Sequence, residues 1–301
     1  MSFFNQNRKD TVAAGDVIIV YIDFTTMLAV HVDLSAGKTA IHTKYGAIPF
    51  QSIIGHRYGT KFRCKNGYVQ LLQPTPELWT KTMPFRTQIL YLPDISMILM
   101  QLDLKPGSVV GESGTGSGSL SHAIARTVAP HGHLFTFDYH ELRVLQFQKE
   151  INSHGLASVV TAQHSDVYKD GYGTLDGVLD AILLDLPCPW FAVPHAKKAL
   201  KKSGGRLGSF SPCIEQVQRT CKELKAHGFK DIVTLECLMR PLEVKTLTMN
   251  CWIPTQAEAN TDERRDNKLK TPFSQVSFPT AIVPWEVPGH SGFLTFASFY
   301  S

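Results

Sequence analysis

The run Val-Val-Gly-Glu-Ser-Gly-Thr-Gly-Ser-Gly-Ser over residues 109–119 restricts what this chain can fold into more than any other stretch. It leaves an apolar strand, passes Gly114, Gly116 and Gly118, and opens onto Leu120, Ile124 and Val128 at helical spacing. Glycines this close together let the main chain run directly beneath a ligand, where any Cβ would collide. The amino terminus of the helix behind them favours electron-rich groups. A strand–loop–helix unit of this kind needs a parallel sheet around it.

That sheet is legible on both sides of the loop. Val109–Gly111 reads as a strand and Leu120–Val128 as the helix after it. His133–Phe137 is the next strand, followed by a helix from about His140 to His154 that Gly155 ends. Val159–Ala162 is the third strand. Ala181–Leu184 is a near-continuous apolar run, as a strand buried on both faces requires, and Arg206–Phe210 is another. Pro212 to His227 reads as a helix with proline at its start and Gly228 past its end. Ile232–Met239 and Phe293–Phe299 read as two last strands. Ahead of the loop, Ile95, Ile98, Leu99 and Leu102 fall at helical spacing, with Asp94 placed to cap. Alternation of this sort means an α/β fold with helices on both faces of the sheet.

Residues 1–78 follow another rule. Val17–Ile22, Met27–Val32, Lys61–Cys64 and Tyr68–Leu72 are short β-type runs. The last two flank Asn66-Gly67, a dipeptide that supplies the positive φ values of a hairpin turn. A small β-barrel or sandwich is expected there. Pro74-Thr75-Pro76 reads as a linker. The expected division is therefore a small β domain at 1–78 and a larger α/β domain at 79–301. Thr255–Lys270 is polar and charged and reads as a solvated, flexible insertion near 255–275.

Composition narrows the class. A chain of 301 residues with 43% hydrophobic and 19% charged residues has a globular balance and can bury a sizeable core. A net charge of +4 permits an anionic partner such as RNA without demanding one. The six cysteines form no CxxC pair and have no histidine at zinc-type spacing, so reduced thiols and no metal site are expected. The amino-terminal MSFFNQNRKD lacks an apolar signal core. No stretch approaches the roughly 20 apolar residues that cross a bilayer, so a soluble, intracellular protein without membrane contact is expected.

The glycine spacing discriminates between ligands. A dinucleotide site wants G-x-G-x-x-G, with the third glycine packing helix against strand. Here the spacing is G-x-G-x-G, with Ser119 at that third place and Glu112 two residues before the first glycine. An acid there repels a pyrophosphate and suits a ligand with a cationic end. S-adenosylmethionine carries an ammonium and a sulfonium and no phosphate. Asp138 ends the next strand, 20 residues after Gly118, where a carboxylate can accept both hydroxyls of a ribose. Asp166, after the third strand, is placed to meet an adenine ring.

The fourth strand runs Ala-Ile-Leu-Leu into Asp185-Leu-Pro-Cys-Pro-Trp190. A carboxylate leaving a buried strand into two prolines is not at a regular helix start; the prolines stiffen a turn and hold the side chain at the cleft. Ligands bind beyond the carboxyl ends of such strands, which makes Asp185 the catalytic candidate. Trp190 suits either stacking on a base or core packing.

Together with the glycine loop, five blocks carry a resemblance: PTPELWT (74–80), RTQILY (86–91), LDLPCPW (184–190), SFSPCIEQVQRTC (209–221) and GHSGFLTF (289–296). The chain resembles, from about residue 15 to its end, the catalytic subunits of eukaryotic tRNA (adenine-58-N1)-methyltransferase. The resemblance implies a class I methyltransferase domain, Rossmann-like with a mostly parallel seven-stranded sheet, behind a small N-terminal β domain that meets tRNA and subunits. It implies methyl transfer from S-adenosylmethionine to N1 of adenosine 58 in the T-loop of tRNA. Its cofactor contacts fall on Gln88, Leu90, Glu112, Ser113, Gly114, Thr115, Gly116, Ser117, Gly118, Ser119, Asp138, Arg143, Asp166, Val167 and Asp185, and its catalytic aspartate on Asp185. It also implies a homologous non-catalytic partner subunit in a heterotetramer of two plus two, and a nuclear location. The chain departs from the pattern at Asp138, where Glu is usual, at Cys188, and in the Thr255–Lys270 insertion.

Adenosine N1 lies on the pairing edge of the base, so the nucleotide must be extruded into a pocket. Trp190 and His290, in the Gly-His-Ser-Gly turn, are the candidate substrate-binding residues; a structural histidine is the competing reading of His290. Arg57, Lys61, Arg63 and Lys65 are candidates for phosphate contacts. Competing functions are a methyltransferase for another substrate, a nicotinamide-type oxidoreductase, which the glycine spacing disfavours, and a non-catalytic RNA-binding scaffold, which has no need of the acids.

Overall fold

The computed structural model describes residues 9–35, 40–252, 273–286 and 289–300. The insertion expected at Thr255–Lys270 lies outside the described residues. In the first quarter of the chain are β1 (Val17–Tyr21), β2 (Met27–His31), β3 (Ala40–Thr43), β4 (Gly46–Pro49), the short α1 (Phe50–Ile53), β5 (Lys61–Cys64) and β6 (Gly67–Leu72). Four of these strands make one antiparallel sheet in the order β2-β1-β6-β5, while β3 pairs with β4. The hairpin forms, but one residue earlier than the dipeptide predicts: Cys64 pairs with Gly67, so the turn residues are Lys65 and Asn66, and neither Asn66 nor Gly67 has a positive φ. Gly67 opens β6 at a place where a Cβ would run into the Tyr45 ring. Ile18, Val20, Ile41, Ile48, Ile53, Val69 and Leu71 close a separate apolar core over this sheet.

Next come α2 (Pro76–Thr82) and α3 (Leu92–Gln101). The expected linker is in fact a helix start. Thr75 is the N-cap, its side chain accepting the Leu78 N–H at 3.3 Å, and Pro76 takes the first helical position, where a missing N–H leaves nothing unbonded. Asp94 does not cap α3: Tyr91 holds that place, Pro93 follows in the first turn, and Asp94 is buried.

The remaining elements build the large sheet: β7 (Val109–Ser113), α4 (Ser119–Val128), β8 (His133–Asp138), α5 (Glu141–Ser153), β9 (Val160–His164), β10 (Ala181–Leu184), α6 (Pro189–Ala199), β11 (Gly205–Ser211), α7 (Ile214–Ala226), β12 (Lys230–Glu236) and, at the end, β15 (Phe293–Phe299). Between the last two lie β13 (Glu243–Trp252) and β14 (Phe273–Ile282), a hairpin that the sequence reading does not anticipate. Also unanticipated is α6, which begins at Pro189 and carries Pro194 inside; the stiff turn is the four residues Asp185 to Cys188, after which the chain becomes helix.

Seven strands pair in the order β12-β15-β11-β10-β7-β8-β9. The pairs β8–β9, β7–β8, β7–β10 and β10–β11 are parallel, and β15 runs antiparallel between β11 and β12. Ala181–Leu184, flanked on both sides, is buried throughout, as its unbroken apolar run requires. One apolar cluster joins Ile95 and Ile98 of α3, Leu120 and Ile124 of α4 and Phe147 of α5 to the sheet. A second joins Ala192 and Val193 of α6 and Leu224 of α7 to it, so helices cover both faces. The described residues form two compact units, Met1–Cys237 with Ser291–Ser301, and Leu238–His290. No helix among them is long and apolar enough to cross a membrane, and all six cysteines are free.

Candidate active site

Strand order decides where a ligand fits. From β7 the chain proceeds outward through β8 and β9, then returns to the other side of β7 with β10. The crevice at such a switch point opens beyond the carboxyl ends of the two central strands. The glycine loop follows β7 and Asp185 follows β10, so both sit at that crevice. The Asp185 N–H donates to Ser113 O at 2.9 Å, which fixes the acid against the loop.

The glycines are required by the protein as much as by any ligand. Gly114, Gly116 and Gly118 all have positive φ. A Cβ on Gly114 would collide with the Asp185 main-chain oxygen, one on Gly118 with the Phe147 ring, and one on Gly116 would stand 2.9 Å from Thr87 Oγ1.

Every hydroxyl of the loop is turned into the protein. Ser113 Oγ meets Tyr172 Oη at 2.7 Å, and Thr115 Oγ1 meets Thr136 Oγ1 at 2.7 Å. Ser117 Oγ accepts the N–H groups of Arg86 and Thr87 at 2.9 and 3.0 Å. Ser119 Oγ donates to Leu90 O at 3.1 Å and meets Thr80 Oγ1 at 2.8 Å. Much of the main chain is bonded within the protein too: Gly114 and Thr115 N–H donate to Phe137 O, Gly116 N–H to Asp138 and Gly118 N–H to Thr115 O. Leu90 and Val167 likewise place their side chains in apolar clusters, whereas Gln88 is exposed.

The four acids differ in setting. Glu112 is 2% exposed, and Ser121 Oγ donates to its Oε2 at 2.6 Å. Burial pushes its carboxyl up to about 8, so at neutral pH it is largely uncharged beneath the loop. The expected attraction of a cationic ligand by Glu112 thus has no exposed carboxylate behind it. Asp138 accepts Gly116 N–H on Oδ2 and His140 N–H on Oδ1, each at 2.9 Å, with Arg143 3.8 Å from Oδ1. Each of its oxygens keeps a second lone pair for a diol. Asp166 accepts the Tyr168 N–H at 3.1 Å and lies 3.4 Å from Lys169 Nζ. The Asp185 carboxylate has no side-chain hydrogen bond or ion pair among the described residues, and burial raises its pKa to about 6.

The two substrate candidates belong to different parts of the chain. Trp190 is half-buried in the first turn of α6, with the Arg219 guanidinium 5.1 Å over its ring and Phe191 beside it. His290 is exposed and belongs to the second compact unit. In the N-terminal sheet, Lys61, Arg63 and Lys65 line a shallow cleft of about 400 Å³ with Tyr68, whose ring Lys61 Nζ covers at 4.3 Å.

One cluster escapes the sequence reading because its members are far apart in the chain. His122, Glu150 and His154 bring ring nitrogens and a carboxylate oxygen within 4.8 Å of one another. His122 Nε2 and His154 Nδ1 are 2.8 Å apart, a hydrogen-bond length. Two nitrogens on one tetrahedral zinc ion stand about 3.3 Å apart, given Zn–N bonds of about 2.0–2.1 Å. Arg86 Nη1, 3.0 Å from Glu150 Oε2, already supplies the positive charge. The cluster is a hydrogen-bond network behind the glycine loop.

A mostly parallel seven-stranded sheet with a glycine loop after its first strand and acids after the following ones is the class I S-adenosylmethionine-dependent methyltransferase fold. The pattern described as "tRNA methyltransferase complex GCD14 subunit" matches residues 67–299, and the chain belongs to that family. A tRNA (adenine(58)-N(1))-methyltransferase catalytic subunit of Cryptococcus neoformans is 46% identical over 239 residues, 78% of this chain and 54% of the relative. The chain thus spans about half the length of that relative. A Dictyostelium discoideum protein of the same description is 37% identical over 97% of this chain and 98% of its own length. Among solved structures, an S-adenosylmethionine-dependent O-methyltransferase from Thermotoga maritima superposes with a TM-score of 0.74 at 26% identity, covering 97% of this chain and 96% of the other. The tRNA (m1A58) methyltransferase TrmI from Aquifex aeolicus gives 0.70 at 20% identity over 97% and 100%, a likeness of fold.

Proposed function

We propose that this chain transfers a methyl group from S-adenosylmethionine to N1 of adenosine 58 in tRNA, with Asp185 as the catalytic residue. One observation carries the reading: an unpartnered carboxylate, raised to about 6, at the switch point beside a glycine loop. The residues fit the cofactor. Gly114 lets the loop close on the Asp185 main chain, Asp138 retains acceptor capacity for a ribose diol, and Gln88, Arg143 and Asp166 are the side chains proposed to complete the pocket. The Ser113, Thr115, Ser117 and Ser119 hydroxyls and the Leu90 and Val167 side chains then act by shaping the pocket, and Glu112 from beneath it.

S-adenosylmethionine supplies the electrophilic methyl. Adenine N1 has an in-plane lone pair, so no base need remove a proton before attack. Positive charge grows on the ring and its exocyclic amine, and Asp185 accepts a hydrogen bond from that amine and stabilises the charge. The role needs the ionised carboxylate. Orientation by the stiff turn at 185–188 supplies the rest.

The β13–β14 hairpin supports assembly with another chain. Its register puts Leu247 opposite Phe278 and Met249 opposite Val276 on one face, and all four are exposed. A homologous, non-catalytic subunit covering such faces in a two-plus-two complex is the arrangement proposed. The N-terminal sheet at 1–78, with its lysine- and arginine-lined cleft, is proposed to meet tRNA phosphates, with Trp190 and His290 nearer the target base. Nuclear residence rests on the family resemblance and is read by tagging the chain in cells.

The test is methyl transfer from labelled S-adenosylmethionine to unmodified tRNA, with the product nucleoside identified by mass spectrometry. It compares the chain alone, the chain with a candidate partner, and Asp185→Ala with that partner. Label in 1-methyladenosine that disappears with Asp185→Ala supports the reading. Cofactor binding without label on any tRNA sinks the tRNA assignment.

A further inference from the structure

The segment between α2 and α3 has no regular structure over residues 85–90, yet it is stitched to the glycine loop along its length. Ser117 Oγ accepts two of its N–H groups, Ser119 Oγ donates to Leu90 O, and Thr87 Oγ1 lies against Gly116. Arg86 adds a bond to the loop's own main chain, Nη2 donating to Ser117 O at 2.8 Å. Its other terminal nitrogen donates to Glu150 Oε2 of α5 at 3.0 Å. Both partners are sheltered, with side-chain exposures of 18% and 11%.

The next carbonyl is held from the opposite direction. His122 Nδ1 is 2.6 Å from Gly118 O, and a carbonyl can only accept, so the proton sits on Nδ1. Nε2 is then the acceptor for His154 Nδ1. Burial holds both imidazoles neutral, lowering His122 to about 4 and His154 further. Arg86 and Glu150 are thus the charged pair beside this network, and Arg86 ties the loop to α5 by charge as His122 ties it to His154 by neutral groups. With the Ser117 and Gly118 carbonyls held by these groups and the Gly118 N–H donated to Thr115 O at 2.9 Å, the turn of the loop is fixed from within the protein.

We infer that Arg86, braced by Glu150, is a positioning residue that holds the glycine loop in its ligand-accepting form before anything binds. The inference rests on the cofactor reading given above. A planar guanidinium can bond a carboxylate and a carbonyl on different elements together, which an ammonium on a flexible stem does not reproduce.

Arg86→Lys, made in the full chain with its partner, keeps the charge facing Glu150 and removes the fork. Arg86→Met/Glu150→Met removes the charge pair, so that no lone buried carboxylate confuses the outcome. S-adenosylmethionine affinity is measured by calorimetry, with KM and kcat from steady state. Amide exchange of the peptide spanning 113–121 is followed without ligand. Both variants should bind S-adenosylmethionine about tenfold more weakly, the loss expected for one hydrogen bond to a charged group. The cofactor KM should rise in step, with kcat and the tRNA KM within about twofold. The loop peptide should exchange faster while the peptide covering Ala181–Leu184 does not. Unchanged affinity and exchange in both variants overturns the inference, and so does exchange that rises throughout the chain. If the unmodified chain binds no S-adenosylmethionine, the proposed function fails, and the ligand-free exchange still decides what Arg86 does.

Discussion

The glycine loop and the β13–β14 hairpin are opposite solutions to the same accounting of polar and apolar groups. In the loop, all four hydroxyls point inward and find partners, and four of its N–H groups are bonded within the protein as well. In the hairpin two strands pair over ten register positions, each with its outer edge open among the described residues, and apolar side chains stand exposed. Thr248 and Ser277 bond at 2.8 Å on one face, whereas Leu247, Met249, Val276 and Phe278 stand exposed on the other. A two-stranded hairpin is marginal alone in water, and an exposed apolar face marks an interaction surface. The loop satisfies its polar groups from within the chain; the hairpin leaves an apolar face uncovered among the described residues.

The largest effect that would break this contrast comes from the loop. Gly114→Ala puts a methyl group into the Asp185 main-chain oxygen at a positive φ, so S-adenosylmethionine binding should fall by about a hundredfold or more, read by calorimetry. Retained binding would mean that the loop is less constrained than its geometry indicates. On the hairpin, Leu247→Glu with Phe278→Glu should abolish co-purification of a partner subunit while moving the chain's own melting temperature by less than about 3 °C. A collapse of melting temperature instead would make the hairpin a folding element of this chain.

Smaller and sharper is a pH effect. Glu112 has a folded pKa near 8 against 4.5 for the free group, so the unfolded chain releases its proton first. Its contribution to stability is therefore full below 4.5, declines as pH rises towards 8, and is flat beyond. Denaturant melts of Glu112→Gln should lack that decline. Asp185 works in the same sense between 3.8 and about 6, so Asp185→Asn should raise stability at pH 7 by up to about 3 kcal/mol while methyl transfer is lost. Smallest of all, Thr248→Val on the polar hairpin face should change stability by no more than about 0.5 kcal/mol and leave assembly intact, which a pull-down checks.

Legibility in the sequence followed the range of the interactions. Ala181–Leu184 and Phe293–Phe299 stand where their apolar runs predict, because burial on two faces leaves a local signature. Prolines read as stronger breaks than they are. Pro76 and Pro189 read as breaks, yet each occupies a first helical position, and Pro194 is carried inside α6. The hairpin strands stand on either side of a long charged segment, with no short turn between them to mark the pairing. Which way the loop's serines turn, and that Arg86 reaches Glu150 across 64 positions, is nonlocal and has no signature in either segment.

Since the hydroxyls of the loop are all taken up inside the protein, an inhibitor lodged beside it meets a surface that any chain with the same glycine spacing would offer. On the proposed site, selectivity has to be sought at Gln88, Arg143 and Asp166, where side chains differ in charge and reach. Resistance by side-chain replacement at 113–119 is correspondingly hard to acquire, because a new side chain there disturbs the scaffold before it touches the drug.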